Sequence, residues 1–153
     1  MNRYCLVLIP VLLLSLAGCA GVSTQPPAVQ SDEEVIVEQP QPVVSGNPAI
    51  IALLDRARHD AAAGQREAAG GSLERALRIE PRNAWLWHEL AQLRLAQGQY
   101  AQAIAMARKS TSFAGGDRRL QAMNWRVIGN ARVAQGLSPE AGQAFDRATE
   151  LEQ

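Results

Sequence analysis

Residues 84–117 read AWLWHELAQLRLAQGQYAQAIAMARKSTSFAGGD, and this stretch of 34 residues decides the architecture. Two amphipathic segments, each with apolar residues at helical spacing, lie on either side of Gly98, which breaks the chain where a positive φ or a close approach is needed. The pattern returns upstream from Ile50 and downstream from Ala122. With Ile50, Ala84 and Ala122 as first positions, position 4 is Leu53, Trp87 and Trp125, and position 8 is Ala57, Ala91 and Gly129. Position 15 is Gly64, Gly98 and Gly136, and position 20 is Ala69, Ala103 and Ala141. Position 24 is Leu73, Ala107 and Phe145, and position 27 is Ala76, Ser110 and Ala148. Small residues at positions 8, 20 and 27 let paired helices approach closely, while the large ones at 4 and 24 fill the space between. Helix starts are expected after Asn47, Asn83, Asp117 and Ser138, whose side-chain oxygens can cap a first turn; Pro48 and Pro139 fit the turn that follows. The first two copies start 34 residues apart and the next two 38 apart, so four extra residues fall near Gly115-Gly116-Asp117.

This pattern, with Pro81 at position 32, resembles the tetratricopeptide repeat over roughly residues 48–153. The resemblance implies an all-α fold: three helix pairs in a short right-handed solenoid, with repeats at about 50–83, 84–117 and 122–153. A helix-pair array without that superhelix is the competing architecture. In the family the inner face is lined by positions 2, 5, 9 and 12 of each first helix. Those positions here are Ile51, Leu54, Arg58 and Ala61, then Trp85, His88, Gln92 and Leu95, then Met123, Arg126, Asn130 and Val133. Of these, Leu54, Arg58, Trp85, His88, Gln92, Met123, Arg126 and Asn130 are the expected protein-binding groove. Trp85 between Arg58 and Arg126 has the composition of a binding hot spot, a rigid aromatic beside guanidinium forks, although Trp85 could instead pack on Ile51 or Met123 and cover the core. Arg126 and Asn130 match half of the two-carboxylate clamp of chaperone-binding members; the remaining clamp positions do not match, which argues against capture of a peptide C-terminus.

The chain departs from the pattern at Arg56 and Asp60, positions 7 and 11 of the first copy, where Leu and an aromatic are usual, so that helix is expected to pack loosely or to meet something else. The third copy runs to Gln153 with no capping helix after it. Apolar surface near Phe145 and Leu151 is therefore expected to be available for a homodimer or a partner.

The N-terminus speaks to compartment. Arg3 precedes an apolar run at residues 6–17 (LVLIPVLLLSLA) that is short for a membrane span, and small residues follow. Leu16-Ala17-Gly18-Cys19 resembles the lipobox of bacterial lipoproteins, which implies a signal peptide at residues 1–18 and lipidation of Cys19. Cys5 falls in the leader, so Cys19 remains alone and the mature chain has no internal disulfide to stabilise it. Several acyl chains at one residue anchor firmly, each buried methylene contributing roughly 0.8 kcal/mol. Ala20 and Gly21 resemble no retention signal, which favours the outer membrane, facing the periplasm. Residues 20–46 are rich in Pro, Gln, Ser and acid and lack a useful period; they read as a disordered tether between anchor and domain. Its Val35-Ile36-Val37 run could pair as a strand with a partner. The tether spans roughly 30 Å as a coil and roughly 80 Å if its prolines hold polyproline II.

Charge and motif content exclude several classes. Residues 46–153 hold 14 basic and 11 acidic side chains, too small a surplus for the stripe of a nucleic-acid binder. His59 and His88 have no Cys or carboxylate at ligand spacing, so no metal and no cofactor are expected, and both are read as surface or groove histidines. With no phosphate loop, nucleophile elbow or paired-carboxylate motif, the chain reads as non-enzymatic. A short lipoprotein with a disordered tether and a few such repeats resembles the Lpo-type activators of bifunctional penicillin-binding proteins. That resemblance implies a periplasmic synthase as partner. The competing readings are a pilotin that escorts a secretin, and an envelope scaffold.

Overall fold

Asn47 opens the first helix: its Oδ1 accepts the Ala49 amide at 3.0 Å, and Pro48 supplies a first residue with no amide to satisfy. The computed structural model describes residues 44–153, so the leader, Cys19 and the tether up to residue 43 lie outside the described residues. Six helices follow in order: α1 (Pro48–Ala62), α2 (Arg66–Ile79), α3 (Ala84–Ala96), α4 (Tyr100–Phe113), α5 (Arg118–Ala134) and α6 (Ser138–Glu152). There is no strand among the described residues, and none of their helices is long and apolar enough to cross a membrane.

The turn inside each pair is built the same way three times. Gly64, Gly98 and Gly136 sit at φ 77°, 73° and 76°, the left-handed region that a side chain disfavours. The amide of the next residue then bonds back to the preceding helix: Gln65 to Asp60 O at 2.8 Å, Gln99 to Arg94 O at 2.9 Å and Leu137 to Arg132 O at 2.9 Å. The two remaining first helices are capped by side chains, Asn83 Oδ1 accepting from Leu86 N at 3.2 Å and Asp117 Oδ1 from Leu120 N at 2.9 Å. Ser138 is not the cap expected of it. The Gly136 turn delivers the chain already helical at Ser138, leaving Leu137 at the cap position with no side-chain bond.

Packing follows the small-residue stripes. Ala57 and Ala91, Ala69, Ala103 and Ala141, and Ala76, Ser110 and Ala148 are all at most 3% exposed, and Gly129 is buried too. Helices pair α1 with α2, α3 with α4 and α5 with α6, and successive pairs join through α2 on α3 and α4 on α5. Around them lie two apolar cores. One has Ile50, Leu54, Leu73, Leu86 and Leu90 at its centre, the other Ile104, Val127 and Ile128, and Met106 packs against both. Despite Arg56 and Asp60, α1 is well seated, with Ile50, Leu54 and Ala57 buried; the buried Asp60 carboxylate lies 3.4 Å from Arg56 Nε. The four extra residues lengthen a helix, not a loop. They give α5 an additional N-terminal turn, which buries Leu120.

Candidate protein-interaction groove

The inner-face positions of the first helices fall on α1, α3 and α5 and line two hollows. The first, of about 210 Å³, is bounded by Leu54, Arg58 and Ala61 of α1, Ala69 and Leu73 of α2, and Gln92 and Leu93 of α3. Arg58 Nη2 meets Glu89 Oε1 at 2.9 Å across this hollow. The second, more open and of about 450 Å³, is lined by His88, Gln92 and Leu95 of α3 and Met123, Arg126 and Asn130 of α5. Gln92 and Ala96 belong to both, so the hollows form one continuous groove. α3 packs directly on α5, whereas α1 and α3 make little direct contact, and Ala69 and Leu73 of α2 line the first hollow between them.

A buried chain of hydrogen bonds ties α3 to α5 beneath the second hollow. Asn124, fully buried, donates Nδ2–H to Ser110 Oγ at 2.7 Å, and Ser110 donates in turn to the Ala84 carbonyl at 2.7 Å. With its amide nitrogen so used, Asn124 turns Oδ1 toward His88 Nδ1 at 2.8 Å, which makes Nδ1 the protonated nitrogen and Nε2 an acceptor for the Gln92 side-chain amide. His88, Asn124 and Ser110 each have one partner on either side, and with Gln92 donating to Nε2 the order suits a neutral imidazole. Burial lowers the His88 pKa further, against smaller upward pulls from the Asn124 hydrogen bond and the Glu89 charge. His88, expected as a surface or groove histidine, does belong to the groove but not as an exposed side chain. In the structure it is 2% exposed, forms part of the groove floor and has no free ring nitrogen to offer a ligand.

Residues 60–123 match the sequence profile of the tetratricopeptide repeat. The globular C-terminal domain of LpoP from P. aeruginosa is 41% identical to this chain, with a TM-score of 0.67 covering 69% of this chain and 99% of that one. The chain belongs to the tetratricopeptide-repeat family. The structure of MamA is also similar, 25% identical over 67% of this chain and 58% of that one, at a TM-score of 0.59. The N-terminal domain of stress-induced protein-1 from C. elegans, 21% identical at a TM-score of 0.62, covers 67% of this chain and 84% of that one and shares the fold. No curated protein matches the chain.

Within this tetratricopeptide domain, the groove residues separate by what holds them. Leu54 is buried and shapes the first hollow from below, while Gln92 and Asn130 are exposed and Met123 is half-buried. Both groove arginines are engaged by acids that the inner-face positions do not include: Arg58 by Glu89, and Arg126 by Glu152 at 2.7 Å. The only signal for those acids is a charge opposite to a groove arginine, and the repeat register alone does not bring them together. Trp85 lines neither hollow; half-buried, it meets His88 edge-on with ring centroids 6.0 Å apart. Among the described residues there is no cluster of three metal-ligating side chains. Exposed amide and guanidinium groups above an apolar floor that includes Leu54 and Met123 give a surface for holding a protein segment.

The last helix is more polar outside than the sequence reading expects. Its exposed residues include Gln143, Asp146, Arg147 and Glu150, whereas Phe145 lies over Gly129 and Leu151 is half-buried. The apolar residues named there for a homodimer are thus partly used within the domain.

Proposed function

We propose that this chain is a non-catalytic outer-membrane lipoprotein, lipidated at Cys19 and facing the periplasm, whose repeat domain binds and activates a bifunctional, class A penicillin-binding protein. The observation that carries this reading is the 41% identity to the LpoP C-terminal domain over 99% of that chain. It coincides with the Lpo-type resemblance drawn from the leader, the Cys19 motif and the repeats. The groove supplies a means of engaging a partner. Its apolar floor at Leu54 and Met123 takes side chains, and the exposed Arg58 and Arg126 sit at its rim, where each can exchange its intramolecular carboxylate for one from a partner.

The test is a pulldown from detergent-solubilised envelope with the described domain, residues 44–153, beside an Arg58→Glu, Arg126→Glu double variant. The reading expects a class A penicillin-binding protein to be enriched and the double variant to lose most of it. Enrichment of a secretin subunit in its place would favour the pilotin reading.

A further inference from the structure

Among the described residues, three cations without a carboxylate partner lie together outside the groove just described. On the opposite side of α3 a second groove of about 420 Å³ runs between α2 and α4, with Leu77, Leu90, Met106 and Trp87 along it. Leu77 and Leu90 are buried and form the floor, while Trp87 and Met106 are half-buried walls. Arg94 and Glu74 close one end as an ion pair at 2.8 Å. At the other end Arg78 lines the groove, and the Lys109 ammonium rests 4.3 Å from the centroid of the Trp87 ring. Arg82 follows in the loop after α2 and stacks on Phe113 of α4, 5.7 Å from its centroid. Among the described residues none of Arg78, Arg82 and Lys109 is paired with a carboxylate. The neighbouring acid, Glu80, is occupied by Ser45 Oγ and Asn83 Nδ2 at 2.7 and 2.6 Å.

We propose that the α2–α4 groove is a second docking surface, for an extended segment of a partner protein in which apolar side chains are flanked by Asp or Glu. Trp87 and Met106 stand as walls over the buried Leu77 and Leu90, a recess that a single extended segment enters side chain first. From Trp87 to Arg94 the groove follows about 10 Å of α3, the length of three extended residues. Arg78 presents a planar fork suited to a carboxylate, and a second carboxylate draws the Lys109 ammonium off Trp87, opening the indole face to an apolar side chain. The inner groove offers no such uncompensated charge, since Arg58 and Arg126 already hold Glu89 and Glu152. This surface is independent of the synthase reading and leaves the inner groove free, so the domain can hold two segments at once.

The experiment is a selection of random displayed dodecapeptides on the full-length protein in detergent. The peptides selected are then bound to an Arg78→Glu, Lys109→Glu variant and to the Arg58→Glu, Arg126→Glu variant, each checked for unchanged helicity. The proposal expects an acidic and apolar class among the selected peptides, weakened about tenfold by the outer pair of substitutions and unchanged by the inner pair. Raised salt should weaken the same class. Three results would overturn it: selected peptides with no acidic bias, an acidic class lost only with the inner pair, or no acidic class at all while phosphatidylglycerol vesicles bind through Arg78 and Lys109.

Discussion

Burial, with both ring nitrogens already bonded, favours the neutral form of His88, and this makes the domain sensitive to acid. Burial pulls its pKa below the ordinary 6.5, while in the unfolded chain the imidazole takes up its proton near that value. Between the two, the unfolded chain binds the extra proton. Stability is therefore full above about pH 6.5 and falls as pH drops below it, until the folded imidazole also protonates. Urea melts at about pH 7.5 and about pH 5 should show this loss, and His88→Gln, which can keep both Asn124 and Gln92 bonded, should reduce it. Equal losses in both proteins would mean that His88 does not control the effect. A second residue-scale expectation concerns Gly129, where an added Cβ would lie 2.4 Å from the Phe145 ring. Gly129→Ala should cost about 2 kcal/mol through overpacking. Gly142→Ala, on an exposed helical site with nothing within 4 Å, should gain up to about 1 kcal/mol, and thermal melts of the two will separate them. The repeat register made the Gly129 site legible as a small position. It could not show His88 to be buried, because a polar residue at an inner-face position is sunk only when Asn124 and Ser110 complete its bonding.

At the scale of elements, the extra turn of α5 has a structural use that the repeat length alone does not reveal. Arg118, in that turn, donates Nε to the Leu151 carbonyl at 3.1 Å and Nη2 to the Glu150 carbonyl at 3.0 Å, satisfying the open end of α6. This is a cap supplied by side chain from a neighbouring helix. Arg118→Ala should cost about 1 kcal/mol and speed amide exchange in α6 while leaving α1 to α4 protected, as read by hydrogen exchange. Uniform loss of protection would assign Arg118 a wider role. Three of the four cap expectations were legible because Asn47, Asn83 and Asp117 each follow an irregular stretch. Ser138 failed because it follows a Gly turn that already carries the chain into helix, and in that context its hydroxyl is not needed. The insertion was visible as a count of residues but not as a helical turn, since Gly115 and Gly116 suggest a longer loop; Asp117, acting as cap to Leu120, decides for the helix.

For the whole molecule, the proposal makes reach as important as recognition, because an anchor at the outer membrane and a synthase rooted in the inner one are separated by the wall. Cys19→Ser should leave the repeat domain folded and move the protein from the membrane to the soluble fraction; retention of the variant in the membrane would refute lipid anchoring at that residue. Deleting residues 24–43 removes roughly 60 Å of extended reach and should abolish function in a strain dependent on this activator, whereas scrambling the same residues should preserve it, with protein level checked by blot. The most direct measurement is the rate of glycan polymerisation by a purified class A penicillin-binding protein from the same envelope, with and without the described domain at saturating concentration. The account predicts a clear rise in rate, and no rise with the folded Arg58→Glu, Arg126→Glu variant. An unchanged rate with the unaltered domain, or an equal rise with both proteins, would contradict it.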